Sequence, residues 1–497
     1  MAQADVVLPT RDDPLVAAGS DGFGGVAGTR VRGLGPRRAI ATALILTAMV
    51  CCFALLQKQP CRASAWTSDS IYPDLCYSDI AFLYRLRGGV AEGHSPYSSS
   101  NGAVPLEYPV LTGAMVVAAA KITSAVDGSS DDTDRSRTFF DVTVVMLAAC
   151  ALVTTWAVGR TAGRRPWDAM MFAVAPGLLL TAYINWDLLP AALTACSLLA
   201  WSRRRPGLAG VLLGLGIAAK FYPLFLLGPL FLLCLRAGRM RAFGTLLLGT
   251  VAAWAVVNVP VALRWPSGWA TFYEMSRTRD ASFGSPWYAL DRSGWVIPSN
   301  VLSVVSAGSF AVLCLGIAAL ALAAPRRPRL GALAFLVVAA FTITNKVYSP
   351  QYVLWLVALF PLARPRWRDF LLWQAAEVVY FVAVWWHLQG LTYPDKVVVP
   401  EWTHNGATFL RIAALGWVCA LIVRDALRPQ HDPIRADGWD DPAGGVLDGA
   451  PDRFRLGGRR GGSGDGLADD DGVEGRGGHP DVDVELAAHG GDGLDGG

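Results

Sequence analysis

An all-α, polytopic membrane fold is what this sequence predicts, and three observations carry the prediction. Hydrophobic residues make up 53% of the chain and charged residues only 17%, a balance poorer in charge than soluble domains carry. Apolar runs recur between residues 39 and 424. A bilayer admits them as helices, because every backbone polar group there must be paired within the chain. Arginines cluster in the short segments between the runs, the pattern of cytoplasmic loops.

Taken in order, the expected spans are 39–56, 138–158, 167–182, 187–201, 207–219, 221–235, 242–262, 300–323, 330–345, 350–363, 369–388 and 407–424. The first reads AIATALILTAMVCCFALL after Arg37 and Arg38. A signal peptide would fit those flanks, but no clear small-residue cleavage site follows and many runs come later, so a retained anchor is expected. The stretch 207–235 fits either a helical hairpin or a broken helix.

Seven basic clusters set the orientation: Arg37–Arg38, Arg160/Arg164/Arg165, Arg203–Arg205, Arg236/Arg239/Arg241, Arg326/Arg327/Arg329, Arg364/Arg366/Arg368 and Arg424/Arg428. Placing all seven inside leaves the run Val110–Val126 over, since a third crossing between the first two clusters would break the parity. The fold expected is therefore about twelve transmembrane helices plus an outer re-entrant or juxtamembrane helix. Outer segments are then 57–137, the border at Asp187, the turn at Lys220, 263–299, 345–349 and 389–406. Every distinctive polar motif falls on that one face.

Three regions follow: 1–36, a disordered cytoplasmic N-terminus; 37–428, the membrane domain with its large outer loop 57–137; and 429–497, a disordered cytoplasmic tail rich in Gly and Asp. Residues 431–497 hold sixteen acids against six arginines. That acidity opposes phosphate binding by the RGG-like pieces of the tail, so no nucleic-acid partner is expected. Seven of the nine cysteines lie in apolar segments, where the residue acts as a small hydrophobe. Cys61 and Cys76 share a polar outer loop and have the separation to close a disulfide.

The candidate site residues each admit two readings. Asp79, in CYSDIAFLYRLRGG, suits a carboxylate taking a proton from a sugar hydroxyl and equally a helix N-cap. Glu107 and Tyr108, in PLEYPVLTG, precede a helix start and bring a second carboxylate into the same loop. Asn185 and Asp187, in INWDLLP, fit a turn cap, the orientation of sugar hydroxyls or the holding of a cation. The chain has five lysines, Lys58, Lys121, Lys220, Lys346 and Lys396, among 43 basic residues. Lys220 and Lys346, beside aromatic residues at run ends, fit snorkelling to the interface or contact with a lipid phosphate. Arg279, in a loop with Arg277, Asp280 and Arg292, suits a phosphate clamp. His387 and His404 read as packing residues rather than metal ligands.

Together SDIAFLYRLRGG, Pro96–Tyr97, EYPVLTG, NWDLL, AAKFYPLFLLGPL and NKVYSPQY resemble the GT-C integral membrane glycosyltransferases, and among them glycosyltransferase family 87, the actinobacterial polyprenyl-phosphate-mannose-dependent α-mannosyltransferase group. The resemblance extends over residues 38 to about 425. It implies a multi-pass plasma-membrane enzyme with an extracytoplasmic site and a polyprenyl-phosphate sugar donor in the bilayer. A glycan or glycolipid is the implied acceptor, with inversion at the anomeric carbon. It places the base at Asp79 and a second acid at Asp187, with Glu107, Tyr108 and Asn185 orienting the sugars. Lys220, Lys346, Arg279 and Asn345 fall to the donor phosphate. No cofactor is implied with certainty, and participation of a divalent cation is left open. The alternative is a polytopic transporter or flippase of lipid-linked sugars, which would carry its charges near the bilayer midplane on broken helices.

Overall fold

The computed structural model describes residues 6–30, 35–86, 90, 93–98, 104–129, 131–438 and 440–456. Among the described residues there is no strand, and the chain winds into twenty α-helices with short 3₁₀ turns between them. Two precede the membrane domain, α1 (Pro9–Asp12) and α2 (Pro14–Arg30). Then come α3 (Pro36–Gln57), α4 (Gln59–Ala63), α5 (Asp79–Leu86), α6 (Val110–Val126), α7 (Asp132–Thr161), α8 (Met170–Ala173), α9 (Pro176–Thr181), α10 (Leu188–Ser202) and α11 (Pro206–Ala219). The second half holds α12 (Leu227–Ala237), α13 (Met240–Arg264), α14 (Pro266–Thr278), α15 (Pro286–Arg292), α16 (Ser299–Ala323), α17 (Leu330–Thr344), α18 (Val353–Ala363), α19 (Trp367–Thr392) and α20 (Glu401–Leu427).

Among the described residues, six helices are long and apolar enough to cross a bilayer: α3, α7, α13, most of α16, α19 and α20. The remaining expected spans are shorter. A 14-residue helix such as α11 rises only about 21 Å, against a hydrocarbon core of about 30 Å. The expected span 167–182 is not one helix: it divides into a 3₁₀ turn, α8 and α9. Pro176 has no N–H to donate and opens α9 instead of continuing α8. Residues 221–235 likewise enter through the 3₁₀ turn Tyr222–Leu226 before α12 begins.

Helix directions alternate between two poles. α10 leaves Asp187 and ends beside Arg203; α11 starts after Arg205 and ends at Lys220. α17 runs from Arg329 to Asn345, and α18 returns to Arg364. The arginine clusters thus sit at one pole and the candidate site residues at the other. α6 keeps to the second pole at both ends. Thr112 Oγ1 donates to the Ala219 carbonyl (2.7 Å), and Asp127, just past the other end, accepts from Thr138 Oγ1 (2.6 Å) near the start of α7.

Close helix packing comes from small residues. A Cβ on Gly210 or Gly214 of α11 would collide with the Leu246 and Thr250 carbonyls of α13, so glycine lets the two backbones touch.

The termini differ from expectation where they are described. Residues 9–12 and 14–30 are helical, and Asp12 pairs with Arg165 (2.6 Å) while Asp13 between them accepts from the Trp367 N–H (2.9 Å). On the other side, residues 432–456 strap the arginine pole: Asp432 pairs with Arg329 (2.7 Å), and Asp452 with Arg236 (2.6 Å) and Arg327 (2.9 Å). Ile434 and Leu447 are buried under it. Composition alone suggests disorder in both segments; the fixed arginines supply partners that composition does not reveal. The expectation of disorder at 1–5, 31–34 and 457–497 lies outside the described residues.

Candidate active site

Asp79 is held by the loop before it. Three successive carbonyls of that loop are each taken by a side chain: Leu75 by Gln57, Cys76 by Trp66 Nε1 (3.3 Å) and Tyr77 by Lys58 Nζ (2.9 Å). A disulfide joins Cys61 to Cys76 across a Cα separation of 5.7 Å. Beyond it Ser78 Oγ donates to the Tyr183 carbonyl (2.7 Å), and the Asp79 N–H donates to the Ile184 carbonyl (2.7 Å). The segment leading from α3 and the turn before α10 therefore fix Asp79 from two sides.

The Asp79 carboxylate accepts from Tyr77 Oη (2.7 Å) and Tyr108 Oη (3.3 Å). Burial pushes its pKa above the usual carboxylate value, against the hydrogen bonds from Tyr77 and Tyr108 and the nearby Lys220 ammonium, which favour the charged form; Glu107 adds to the upward push. Lys220 Nζ lies 3.0 Å from Asp187 Oδ1 and 4.9 Å from the centre of the Tyr108 ring. Asn185 Nδ2 donates to Tyr108 Oη (3.4 Å), and Asn185 Oδ1 accepts from the Asp187 N–H (3.1 Å). Asp79, Tyr108, Asn185, Asp187 and Lys220 are thus one connected cluster.

A cavity of about 640 Å³ opens over this cluster. Asp79, Glu107, Tyr108, Asn185, Lys220, Arg279, Asn345 and Lys346 all line it; Asp187 does not. The Asp187 side chain is fully buried behind Lys220, so it holds the lysine and does not face the cavity. Lys346 faces the cavity but is anchored, donating to the Arg277 carbonyl (2.9 Å) and to Ser303 Oγ (3.0 Å). Asn345 Nδ2 turns back to the Val347 carbonyl (2.9 Å). Arg279, at the end of α14, is exposed at the rim.

Several lining residues were not singled out by the sequence. Tyr72, Tyr77 and Trp385 form an aromatic wall with ring centres 4.9 to 6.1 Å apart. Gln351 and Tyr352 add polar groups, and Phe221, Phe272, Met275 and Phe341 an apolar flank. Behind the wall, Arg411 of α20 pairs with Glu377 of α19 (2.7 Å) and donates to the Tyr348 and Ser349 carbonyls (2.9 and 3.3 Å), which fixes the NKVYSPQY turn. A glutamate and an arginine within apolar spans are costly and seldom idle; that was the available signal. Gly284 completes the support with φ of 79°, where a Cβ would meet the Tyr348 carbonyl and Tyr380 Oη. His387 and His404 stack at 4.3 Å. Among the described residues no group of three or more His, Cys, Asp or Glu side chains is disposed to hold a metal.

A half-buried carboxylate facing the cavity beside a lysine is equipped to take a proton from a hydroxyl while a cation receives developing negative charge. Residues 136–350 match the family model described as glycosyltransferase family 87. The matched stretch contains Asn185, Asp187, Lys220, Arg279, Asn345 and Lys346, and ends before the buried Arg411; Asp79, Glu107 and Tyr108 precede it. No curated protein matches the chain.

Proposed function

From the match of residues 136–350 to glycosyltransferase family 87, we propose that this chain is a membrane glycosyltransferase that moves a hexose, mannose first among them, from a polyprenyl-phosphate donor to a cell-envelope glycan or glycolipid. Asp79 takes the proton of the acceptor hydroxyl as that oxygen bonds to the anomeric carbon. The bond from that carbon to the phosphate oxygen breaks on the opposite face, so the configuration inverts. The leaving polyprenyl phosphate carries the electron pair away, and Lys220 and Arg279 stabilise its charge. No covalent enzyme intermediate is needed. Tyr108 and Asn185 orient the sugars, and Glu107 stands at the acceptor side.

The observation that carries this reading is the meeting of Asp79 and Lys220 on one cavity wall, at the pole away from the arginine clusters. By the positive-inside rule that pole is extracytoplasmic, in a plasma membrane whose outer leaflet presents the donor. A carrier lipid that stays in the bilayer meets a site opening sideways between helices, and the apolar flank of Phe221, Phe272 and Phe341 suits its first isoprenes.

The test adds radiolabelled polyprenyl-phosphate mannose to membranes holding the wild type or Asp79→Asn. Transfer to a lipid-linked or glycan product by the wild type alone supports the reading; equal transfer by both removes Asp79 from the reaction.

A further inference from the structure

Lys58 is a buried lysine that the reaction described above does not use. It caps the C-terminal end of α3, is 1% exposed and does not line the cavity. Its Nζ donates to the Tyr77 carbonyl (2.9 Å), and that ammonium makes no other hydrogen bond among the described residues. A buried ammonium held by one neutral carbonyl is a poor arrangement unless a carboxylate compensates its charge. Only two residues along the chain from Tyr77 stands Asp79, whose charge favours the protonated form of Lys58.

We propose that Lys58 is a positioning residue for Asp79: its ammonium, buried behind the loop of residues 75–77, fixes the Tyr77 carbonyl and acts with Lys220 to keep the carboxylate ionised. The proposal rests on the role given to Asp79 above. Asp79 and Asp187 are then balanced by Lys58 and Lys220, and the four charges close to neutrality in a buried setting. The other groups facing Asp79 are Tyr77 and Tyr108, which donate to it, and Glu107, which raises its proton affinity. Tyr72 and Tyr352 lie close enough to feel the charge of Asp79.

The geometry gives the loop a reason to hold a lysine. The carbonyls of Leu75 and Cys76 are taken by neutral donors, Gln57 and Trp66, whereas Tyr77, whose hydroxyl touches Asp79, receives the charged one. A neutral donor would serve the carbonyl as well; only a cation serves the carboxylate. Burial pushes the Lys58 pKa down to about 7, and Asp79 pulls it the other way.

Coupling between two charges is reciprocal, so Asp79→Asn must weaken the hold of Lys58 on its proton. The experiment is an NMR titration of ε-13C-lysine in the purified full chain in detergent, where Lys58→Arg assigns the signal among five lysines. A Lys58 midpoint falling by about one unit in Asp79→Asn supports the proposal; an unchanged midpoint overturns it, with no substrate involved. The second arm is the pH profile of mannose transfer. Lys58→Arg is expected to keep activity and extend it to higher pH, while Lys58→Met shifts the acid limb upward. Profiles that coincide with the wild type, or a pH-independent loss in Lys58→Met, overturn it. Wild-type protein that transfers no mannose would count against the donor assignment, and the NMR titration would still decide the role of Lys58.

Discussion

Lys220 Nζ lies 3.0 Å from Asp187 Oδ1, and the carboxylate of that pair is sealed from the cavity that the lysine faces. The acid thus fixes the cation at the end of α11, where the helix stops and the 3₁₀ turn begins. Removing one partner of a buried pair leaves an uncompensated charge and costs roughly 3–5 kcal/mol, whereas removing both costs much less. Asp187→Leu alone should lower the thermal midpoint sharply. Asp187→Leu with Lys220→Met should recover much of the midpoint and none of the transfer. A double variant as unstable as the sum of the singles would show the pair is not the unit claimed, as read from melts in detergent.

Asp79 should set the acid limb of the reaction. Burial raises its folded pKa above its unfolded value, so activity should climb with pH through a midpoint above the ordinary carboxylate value of about 4. The sign for stability is opposite. Folding holds the proton more tightly than the unfolded chain does, so this group's stabilising contribution is full below the unfolded pKa and is lost as pH rises through the folded one. Asp79→Asn should cut transfer by roughly 10²–10⁴-fold while slightly raising the melting midpoint at neutral pH. A lowered midpoint would indicate that the carboxylate is structural.

Arg411 and Glu377 should matter for folding more than for substrate. Arg411→Met strands the glutamate and frees the Tyr348 and Ser349 carbonyls, a loss of roughly 3–5 kcal/mol by the same reasoning. Glu377→Gln, which keeps hydrogen-bonding capacity, should cost less. Melts of the two variants side by side decide it; equal loss would place the energy in the Arg411–Glu377 charge pair rather than in the arginine's carbonyl contacts.

The Cys61–Cys76 disulfide closes a loop of about 15 residues, for which a loss of about 3 kcal/mol is expected on removal. Cys61→Ser with Cys76→Ser should lower the midpoint and weaken acceptor use, because the loop it anchors carries Tyr77 and Asp79. Unchanged kinetics in the double variant would show that the Gln57, Trp66 and Lys58 contacts suffice.

Much of the architecture is legible in the sequence because a bilayer enforces it. Apolar runs must be helices, and arginines mark one pole, so the shared pole of Asp79, Lys220 and Lys346 can be read from the chain. Span lengths are less legible. The breaks at 167–182 and 221–235 depend on prolines whose effect, a kink or a stop, is settled by what packs beside them. Asp79, Glu107, Tyr108, Asn185, Lys220, Arg279, Asn345 and Lys346 can be proposed from residue type and position, and they do line one cavity.

The sequence by itself determined the helical class, the polarity of the helix ends and the set of rare lysines and outer acids, since each follows from the cost of charge and unpaired backbone in lipid. Only the tertiary structure decided that Asp187 turns away to hold Lys220 and that Lys346 is tied to Arg277 and Ser303. It also decided that Lys58 backs Asp79, and that acidic ends strap the arginine pole. Those are pairings between residues from about twenty to several hundred positions apart, and the selectivity of a buried charge for its partner depends on distances that no local pattern encodes.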